Sequence, residues 1–287
     1  MGKMGIRLPV GMLGGLLAPT LTLAAAQQLP DMTVTANKIE QDLQDVPASV
    51  SVVQGEALRD AGADDRQALA RRTPNFVFQP FGQSGTNVPV MRGISSSATA
   101  FSSSMLMLVD GVPTLMGQGF DHNLLALERV EILRGPQSTL YGRNAEAGVM
   151  HLHTRPIDDA PYARVDATLG NRDKRVLRFD LSQALVADTL YGGIAGEWLE
   201  QDGFIDNAYR GRDEDDRERH NGRVVLRWTP TSATSATLRY SRQDYRDGGS
   251  LWGAAGSSQR EVRSGTRSWN RSSGRSLSLD VEHELDS

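Results

Sequence analysis

The residues with the clearest potential for chemistry are two histidines, His151 and His153, in the segment GVMHLHT. Residues two apart on a β-strand point to the same side of the sheet, so both imidazoles could face one metal ion. A protein metal site needs further ligands, and no third ligand stands nearby in the sequence. This favours a surface or interface position for the pair, and we predict no metal site.

Other residue combinations that are typical of enzymes are missing as well. Gly142, Arg143 and Asn144 do not form a phosphate-binding loop, and the many serines lack a base and an orienting acid at a recognisable spacing. The chain has no cysteine, which excludes disulfides and thiolate metal sites, and its net charge of -4 gives no support for a nucleic-acid partner. We therefore predict a protein that is not an enzyme and carries no cofactor.

Two strands and a turn between them position the histidines. Residues 127–156 read LERVEILRGPQSTLYGRNAEAGVMHLHTRP. In the first strand, Val130 and Ile132 are expected on one face, with Glu131 and Arg134 on the other. A glycine and a proline then end this strand, and the second strand carries the histidines.

Two shorter motifs precede this stretch, MRGI at 91–94 and LVDGVP at 108–113. Their order and approximate spacing, together with residues 127–156, resemble the plug domain of TonB-dependent outer-membrane receptors. The resemblance implies a plug that closes the bore of a β-barrel and a role in importing scarce nutrients, typically ferric siderophores. The residues that match the plug motifs are Gly93, Asp110, Gly111, Glu131, Gly135, Tyr141 and Gly142.

Arg92 and Arg134 each precede a glycine at the end of a predicted strand. The resemblance implies that both guanidinium groups dock the plug by pairing with carboxylates on the surrounding barrel, as plug arginines do in the family. For an arbitrary arginine, a solvated surface position would be the simpler interpretation. The pair Asp110–Gly111 is typical of a turn. In such a turn the glycine adopts a backbone conformation that is unfavourable for other residues.

The first residues predict export. Lys3 and Arg7 precede an apolar run over residues 8–23, and three alanines then offer a small-residue cleavage site, as in a secretory signal peptide. A membrane anchor is the alternative, but glycines, a proline and the short length of the run argue against it. We predict a signal peptide over residues 1–26.

A short extended segment follows the predicted cleavage site. It consists of Asp31, Met32, Thr33, Val34, Thr35 and Ala36. Alternating β-branched residues near a chain terminus can add as a strand to the sheet edge of another protein. The segment resembles the TonB box, which implies binding to the periplasmic domain of TonB. An ordinary leader or first plug strand is the alternative.

Residues 42–157 are predicted to form a compact α/β plug domain. A strand is expected over 46–53, followed by a helical pattern over 55–72 that is interrupted at Gly62. Further strands are predicted at 75–79, 88–92, 105–109, 129–133 and 148–154. Polar loops between them are expected at the apex of the domain, where Phe81, Gln83, Phe101 and His122 are candidates for contact with a substrate.

From residue 158 to residue 287 the pattern changes to a series of strands. Six runs approach the roughly 9–11 residues that a tilted membrane strand requires, at 162–169, 175–185, 189–199, 221–229, 233–245 and 275–285. In the last run Leu277, Leu279 and Val281 alternate with polar residues, so one face suits lipid and the other suits water. Tight and long connections alternate between the runs, as periplasmic turns and external loops do in outer-membrane barrels.

The sequence therefore predicts an α/β plug domain followed by antiparallel transmembrane β-barrel strands. Six strands cannot enclose a plug of this size, so we expect an incomplete barrel and a truncated, non-conducting chain. The predicted domains are a signal peptide, a TonB-box segment, a plug and the first barrel strands, at 1–26, 27–41, 42–157 and 158–287.

The predicted function is TonB-dependent import of a scarce nutrient across the cell outer membrane, in contact with lipid and TonB. A ferric siderophore is the leading substrate, while cobalamin, haem and a saccharide remain open. The alternative is an exported soluble binding protein or adhesin with a small β-sheet domain. Such a protein would need no detergent for extraction.

Overall fold

The computed structural model describes residues 33–35, 39, 41–62, 66–79, 87–96, 103–114, 124–249 and 260–285. All described residues lie in one compact unit, which spans residues 33–287. The predicted signal peptide therefore lies outside the described residues. Among the residues that are described, no helix has both the length and the apolar character needed to cross a membrane.

The first part of the described chain forms a mixed α/β domain. Its elements, in chain order, are β1 (Thr33–Val34), β2 (Gln41–Asp42), β3 (Ser49–Gln54), α1 (Gly55–Asp60), α2 (Arg66–Ala70), β4 (Phe76–Gln79), β5 (Val88–Met91), β6 (Met105–Val109), β7 (Val112–Pro113), β8 (Leu127–Arg134), α3 (Ser138–Tyr141) and β9 (Gly148–Thr154). Strands β3, β8, β9, β6 and β7 form a sheet in that order, with β6 parallel to β9 and the other pairs antiparallel. The pairs β1–β2 and β4–β5 are separate from it.

Both faces of the five-stranded sheet are covered. Strand β6 reads MLMLV: its methionines belong to one buried cluster, together with Leu58 of α1, and its leucines belong to another, together with Val34 of β1. A strand that is buried on both sides is apolar at every position and does not alternate. Helices α1 and α2 therefore lie on one face, and the N-terminal segment lies on the other together with Tyr141 of α3.

Strand β8 departs from the prediction in two respects. Glu131 is fully buried, although its charge suggested a polar face. Arg134 does not share the face of Glu131, because the pairing with β9 is regular over this stretch and residues three apart on a regular strand point to opposite sides. The sequence-based assignment of both residues to one face is therefore wrong.

The second part of the described chain is a six-stranded antiparallel sheet, which we call the wall. Its strands are β10 (Tyr162–Leu169), β11 (Arg175–Val186), β12 (Leu190–Gln201), β15 (Arg217–Thr231), β16 (Thr234–Gly248) and β18 (Trp269–His283), and each pairs with the next. A small sheet is formed by β13 (Asp206–Asn207), β14 (Arg212–Asp213) and β17 (Glu261–Val262) in the two long connections. Within the described residues the wall is an open sheet that ends at β10 and β18.

The two faces of the wall have opposite polarity. Leu277 and Leu279, on β18, are 70% and 66% exposed, and they pair with exposed Tyr240 and Leu238 on β16. The face turned towards the plug is polar and includes the buried Glu197. This distribution is the inverse of a water-soluble sheet, and it is typical of a barrel whose outer face contacts lipid.

Strands β15 and β16 are longer than predicted. The predicted strands covered 221–229 and 233–245, whereas the observed ones begin earlier or end later, in segments that are polar on both faces. A strand that continues beyond the hydrocarbon layer keeps its ladder of hydrogen bonds but no longer needs an apolar face. Alternation therefore marks the part of a strand within the membrane and not its full length.

Candidate functional site

The N-terminal strand is held on the plug by a buried carboxylate. The backbone N–H of Thr35 donates to Glu131 Oε2 at 3.0 Å, and the Thr35 hydroxyl lies 3.3 Å from the same oxygen. Glu131 Oε1 accepts from Arg129 Nε at 2.9 Å and lies 3.1 Å from His153 Nε2. We call Thr35, Arg129, Glu131 and His153 the strand dock.

The strand dock favours the charged form of its carboxylate. Burial alone would raise the pKa of Glu131, but the hydrogen bonds from His153, Arg129 and the Thr35 N–H outweigh burial and lower this pKa to about 2. The carboxylate is therefore ionised at neutral pH, although its side chain has no exposed surface. Its stability in the interior depends on the donors that surround it.

The predicted TonB box is partly described. Thr33 and Val34 form β1, which pairs with Gln41–Asp42, and the Val34 side chain is fully buried. Asp31, Met32 and Ala36 lie outside the described residues. In this arrangement β1 is part of the plug, and β2 occupies one of its edges. Another protein could therefore pair along both edges of β1 only after β1 has left the plug. Binding of TonB by this segment stays a prediction.

The plug contacts the wall through a second charged cluster. Asp110 Oδ2 lies 2.5 Å from Arg223 Nη2 on β15 and 3.5 Å from Arg239 Nε on β16. The other carboxylate oxygen, Oδ1, accepts the Thr154 N–H at 2.8 Å, and Thr154 Oγ1 accepts from Arg223 Nη2 at 2.8 Å. We call Asp110, Thr154, Arg223 and Arg239 the wall latch.

The turn between β6 and β7 aims Asp110 at the wall. Both Asp110 and Gly111 have positive φ, at 47° and 80°, as the prediction of a turn with an unusual glycine requires. Burial raises the pKa of Asp110, but the charges and hydrogen bonds of Arg223, Thr154 and Arg239 lower it overall. The sequence analysis missed this latch; inward-facing arginines on predicted wall strands were the signal that could have indicated it.

A further plug–wall contact follows directly after β9. Arg155 Nη2 lies 2.8 Å from Asp180 Oδ1, and Arg155 Nη1 donates to Ser182 Oγ at 3.1 Å. The Arg155 guanidinium also lies 3.5 Å from the centre of the Tyr162 ring. This arginine therefore ties the end of the plug to β11, independently of the wall latch.

The two predicted docking arginines lie close to one another at the strand ends. Arg92, which has a positive φ of 51°, is exposed, and its Nη1 would lie 3.2 Å from a Cβ built on Gly135. Arg134 is half-buried, and its Nε has no hydrogen-bond partner among the described residues. Neither arginine forms an ion pair with the described part of the wall, and their docking role stays a prediction.

The remaining residues of the plug motifs surround the same strand ends. Gly93, Gly135 and Gly142 have positive φ values of 79°, 112° and 77°. Tyr141 packs against the buried cluster under β1, and burial together with the charge of Glu131 raises its pKa. These residues therefore shape the turns around the strand dock.

His151 stacks on His153, a member of the strand dock, and lies between the dock and the wall latch. The two ring centres are 3.8 Å apart, and His151 Nε2 accepts the Gly111 N–H at 2.8 Å. Burial and the neighbouring His153 lower the pKa of His151 to about 4, so His151 is neutral at physiological pH. Within the described residues, no group of three or more His, Asp or Glu is arranged to hold a metal ion.

Among the cavities between the plug and the wall in the described part of the chain, two are lined by both Asp110 and Thr154. One of about 370 Å³ has apolar plug residues such as Val109 and Leu127 on one side and polar wall residues such as Gln243 on the other. The other, of about 290 Å³, adjoins the wall latch and Arg155. The four candidates for substrate contact, Phe81, Gln83, Phe101 and His122, lie outside the described residues.

Comparison with known proteins assigns this architecture. Residues 42–149 match the family model of the TonB-dependent receptor plug domain. The pesticin receptor of Yersinia enterocolitica is 29% identical over 274 residues, which cover 93% of this chain and 38% of the receptor. Residues 42–149 thus form the plug domain of a TonB-dependent receptor, and most of the chain is similar to receptors of this family.

Two further relatives extend this result. The vitamin B12 transporter BtuB of Vibrio vulnificus is 30% identical over 202 residues, covering 67% of this chain and 32% of the transporter. The crystal structure of the ferric yersiniabactin uptake receptor FyuA from Yersinia pestis superposes with a TM-score of 0.77 at 26% identity, covering 83% of this chain and 39% of the receptor. The chain thus spans well under half the length of these relatives.

The match to the plug domain and the similarity to TonB-dependent receptors confirm several predictions. The fold is a plug domain with antiparallel barrel strands, and the location is the outer membrane. Members of the family are receptors and not enzymes, so the prediction that the chain is not an enzyme is also confirmed. The domain boundaries at residues 26, 41 and 157 stay predictions.

Proposed function

We propose that the protein takes part in TonB-dependent import of a scarce nutrient across the outer membrane, with a ferric siderophore as the leading substrate. The observation that carries the proposal is a plug anchored by charged groups to the polar face of a sheet whose other face is apolar. Relatives named for ferric yersiniabactin uptake and for vitamin B12 transport support import but differ in cargo.

Four groups of residues would have a role in this function. Residues 31–36 would pair with the periplasmic domain of TonB as an added strand. Arg92 and Arg134 would dock the plug on barrel carboxylates. Phe81, Gln83, Phe101 and His122 would contact the substrate, and the apolar face of the wall would contact lipid. No nucleic acid takes part.

Strand addition to TonB depends on the backbone N–H groups of residues 31–36, so removing one of these N–H groups tests the proposal. Proline has no N–H and cannot complete a ladder, so Val34→Pro should abolish uptake of radioactive iron from a ferric siderophore while ligand binding at the cell surface is retained. Val34→Ala is the matched control, because it shortens the same side chain but keeps the N–H. It should import at a rate near that of the unaltered protein.

The host for this test lacks its own siderophore receptors and expresses the complete gene to which this sequence belongs. Normal uptake by the proline variant would show that strand addition at this segment is not used. Recovery of the protein from the periplasm or the medium without detergent would instead favour the soluble binding protein or adhesin.

A further inference from the structure

An unbroken series of contacts joins the strand dock to the wall latch. Thr35 bonds to Glu131, which lies against His153, and His153 stacks on His151. His151 then accepts the N–H of Gly111, the residue that follows Asp110 in the turn of the wall latch. The N-terminal strand and the wall are therefore connected through two imidazole rings.

We propose that His151 and His153 couple two anchors, the strand dock and the wall latch, so that loosening the wall latch weakens the hold of the plug on Thr33–Thr35. The inference deepens the proposed function and rests on it, because release of these residues from the plug would free both edges of the segment for a strand of TonB. The histidines act here as positioning residues. Binding of the N-terminal strand would then report the state of the plug–wall contact.

The geometry indicates how a change would pass along the series. Asp110 and Gly111 both hold positive φ, a conformation that is strained for aspartate and is maintained by the bonds of the latch. When Asp110 loses Arg223, the turn can relax and the Gly111 N–H moves away from His151. On the far side of Gly111 the two rings stack with their centres 3.8 Å apart and Glu131 is fully buried, so a shift there meets neighbours with little free volume to absorb it.

The charged groups around the rings also favour coupling over independent behaviour. The charges of Glu131, Asp110 and Arg129 all act on His151, which stacks on His153 and bonds to Gly111. Both anchors therefore contribute to the electrostatic environment of the same ring. A change in either anchor therefore alters the electrostatic interactions that help to position the His151 ring.

The absence of cysteine from the chain offers a direct readout. A cysteine placed by Val34→Cys is buried when β1 is docked and reacts with a thiol reagent only when β1 leaves the plug. The labelling rate in outer-membrane preparations then measures the undocked fraction. All further variants carry this reporter.

Asp110→Asn and Glu131→Gln perturb one anchor each, and both should raise the labelling rate. If the two anchors are independent, the fold increase in the labelling rate of the double variant equals the product of the fold increases of the two single variants. We expect the double variant to fall short of this product by at least about twofold, because either change already weakens the other anchor. Multiplicative effects would overturn the proposal.

His151→Phe tests the route of the coupling. Phenylalanine can stack on His153 but cannot accept the Gly111 N–H. When Asp110→Asn and Glu131→Gln are combined in a protein that carries His151→Phe, their effects on the labelling rate should therefore be multiplicative. His151→Gln, whose amide oxygen can accept that N–H, should retain the shortfall from the product. Equal behaviour of these two variants would contradict the proposal, and His151→Leu replaces the phenylalanine variant if the latter fails to insert.

Arg155→Gln is the matched control for general loosening of the plug. It breaks a plug–wall ion pair of similar geometry that does not contact the histidines. We expect its labelling rate to stay within about twofold of the rate of the protein that carries Val34→Cys alone. A rise equal to that of Asp110→Asn would assign the effect to loosening and overturn the coupling. Because the assay requires neither TonB nor substrate, its outcome is independent of the uptake experiment.

Discussion

Glu131 carries a full charge inside the plug. An isolated buried carboxylate would cost several kcal/mol or would take up a proton. Here Arg129, His153 and the Thr35 N–H supply donors, and the last of these exists only while the N-terminal strand is docked. Release of the strand therefore leaves part of a buried charge without its partner.

Docking of Thr35 should consequently depend on pH in a defined direction. The pKa of Glu131 is lowered from 4.5 to about 2 in the folded chain. A lowered pKa stabilises the docked state fully above the unfolded value of 4.5, and this stabilisation is lost as the pH falls towards 2. We expect the protection of the Thr35 amide against hydrogen exchange, relative to its intrinsic rate, to decline across this window.

Glu131→Gln is the control for this pH dependence, because the amide keeps the shape of the side chain but does not titrate. The variant should show weaker protection of Thr35 at neutral pH and a clearly smaller decline between pH 4.5 and pH 2, because Asp110 of the wall latch still titrates in this part of the plug whereas the side chain at position 131 does not. An equal decline in the variant would assign the pH dependence to another group.

The sequence indicates individual site residues better than their partners. The paired histidines and the turn at Asp110 follow from local spacing, which alternation and turn chemistry predict. The partners lie far away along the chain: 96 residues separate Thr35 from Glu131, and 113 separate Asp110 from Arg223. Such contacts depend on how the plug sits against the wall, and no local pattern specifies this arrangement.

At the level of elements, strands are predictable where one face must meet lipid. Strand β10 has both ends where alternation places them, at 162 and 169. Strand β18 starts at Trp269, six residues before the predicted start, because its first part is polar on both faces. The plug strands were found by their apolar runs, but burial of Glu131 within such a run could not be read from its neighbours.

The sidedness of β18 leads to a test of membrane contact. Leu277 lies mid-strand on the exposed apolar face, whereas Ser276 faces the larger plug–wall cavity. Leu277→Arg should destabilise the inserted protein by about 2–4 kcal/mol, the cost of a charge on the lipid face near the midplane. Ser276→Arg, on the other face of the same strand, should have little effect. The measurement is the denaturant midpoint of the protein inserted in lipid vesicles, and equal effects of the two variants would contradict the assignment of faces.

At the level of the whole molecule, plug and wall are joined by charged groups because the inner face of a barrel is polar. The wall latch and the Arg155–Asp180 pair are both partly or largely buried. A buried ion pair often contributes little net stability, since desolvation offsets the attraction, but removing one partner alone is costly. The plug should therefore tolerate loss of the whole latch better than loss of one residue.

Asp110→Leu leaves Arg223 and Arg239 without their shared carboxylate, and we expect it to destabilise the plug–wall contact by about 3–5 kcal/mol. Replacing all three residues, by Asp110→Leu with Arg223→Met and Arg239→Met, should recover a large part of this loss, because no buried charge is then unpaired. The measurement is the urea concentration at which the plug becomes accessible to protease in the inserted protein. If the triple variant is as unstable as Asp110→Leu or less stable, the latch provides net attraction that apolar packing cannot replace, and its charged residues contribute directly to holding the plug on the wall.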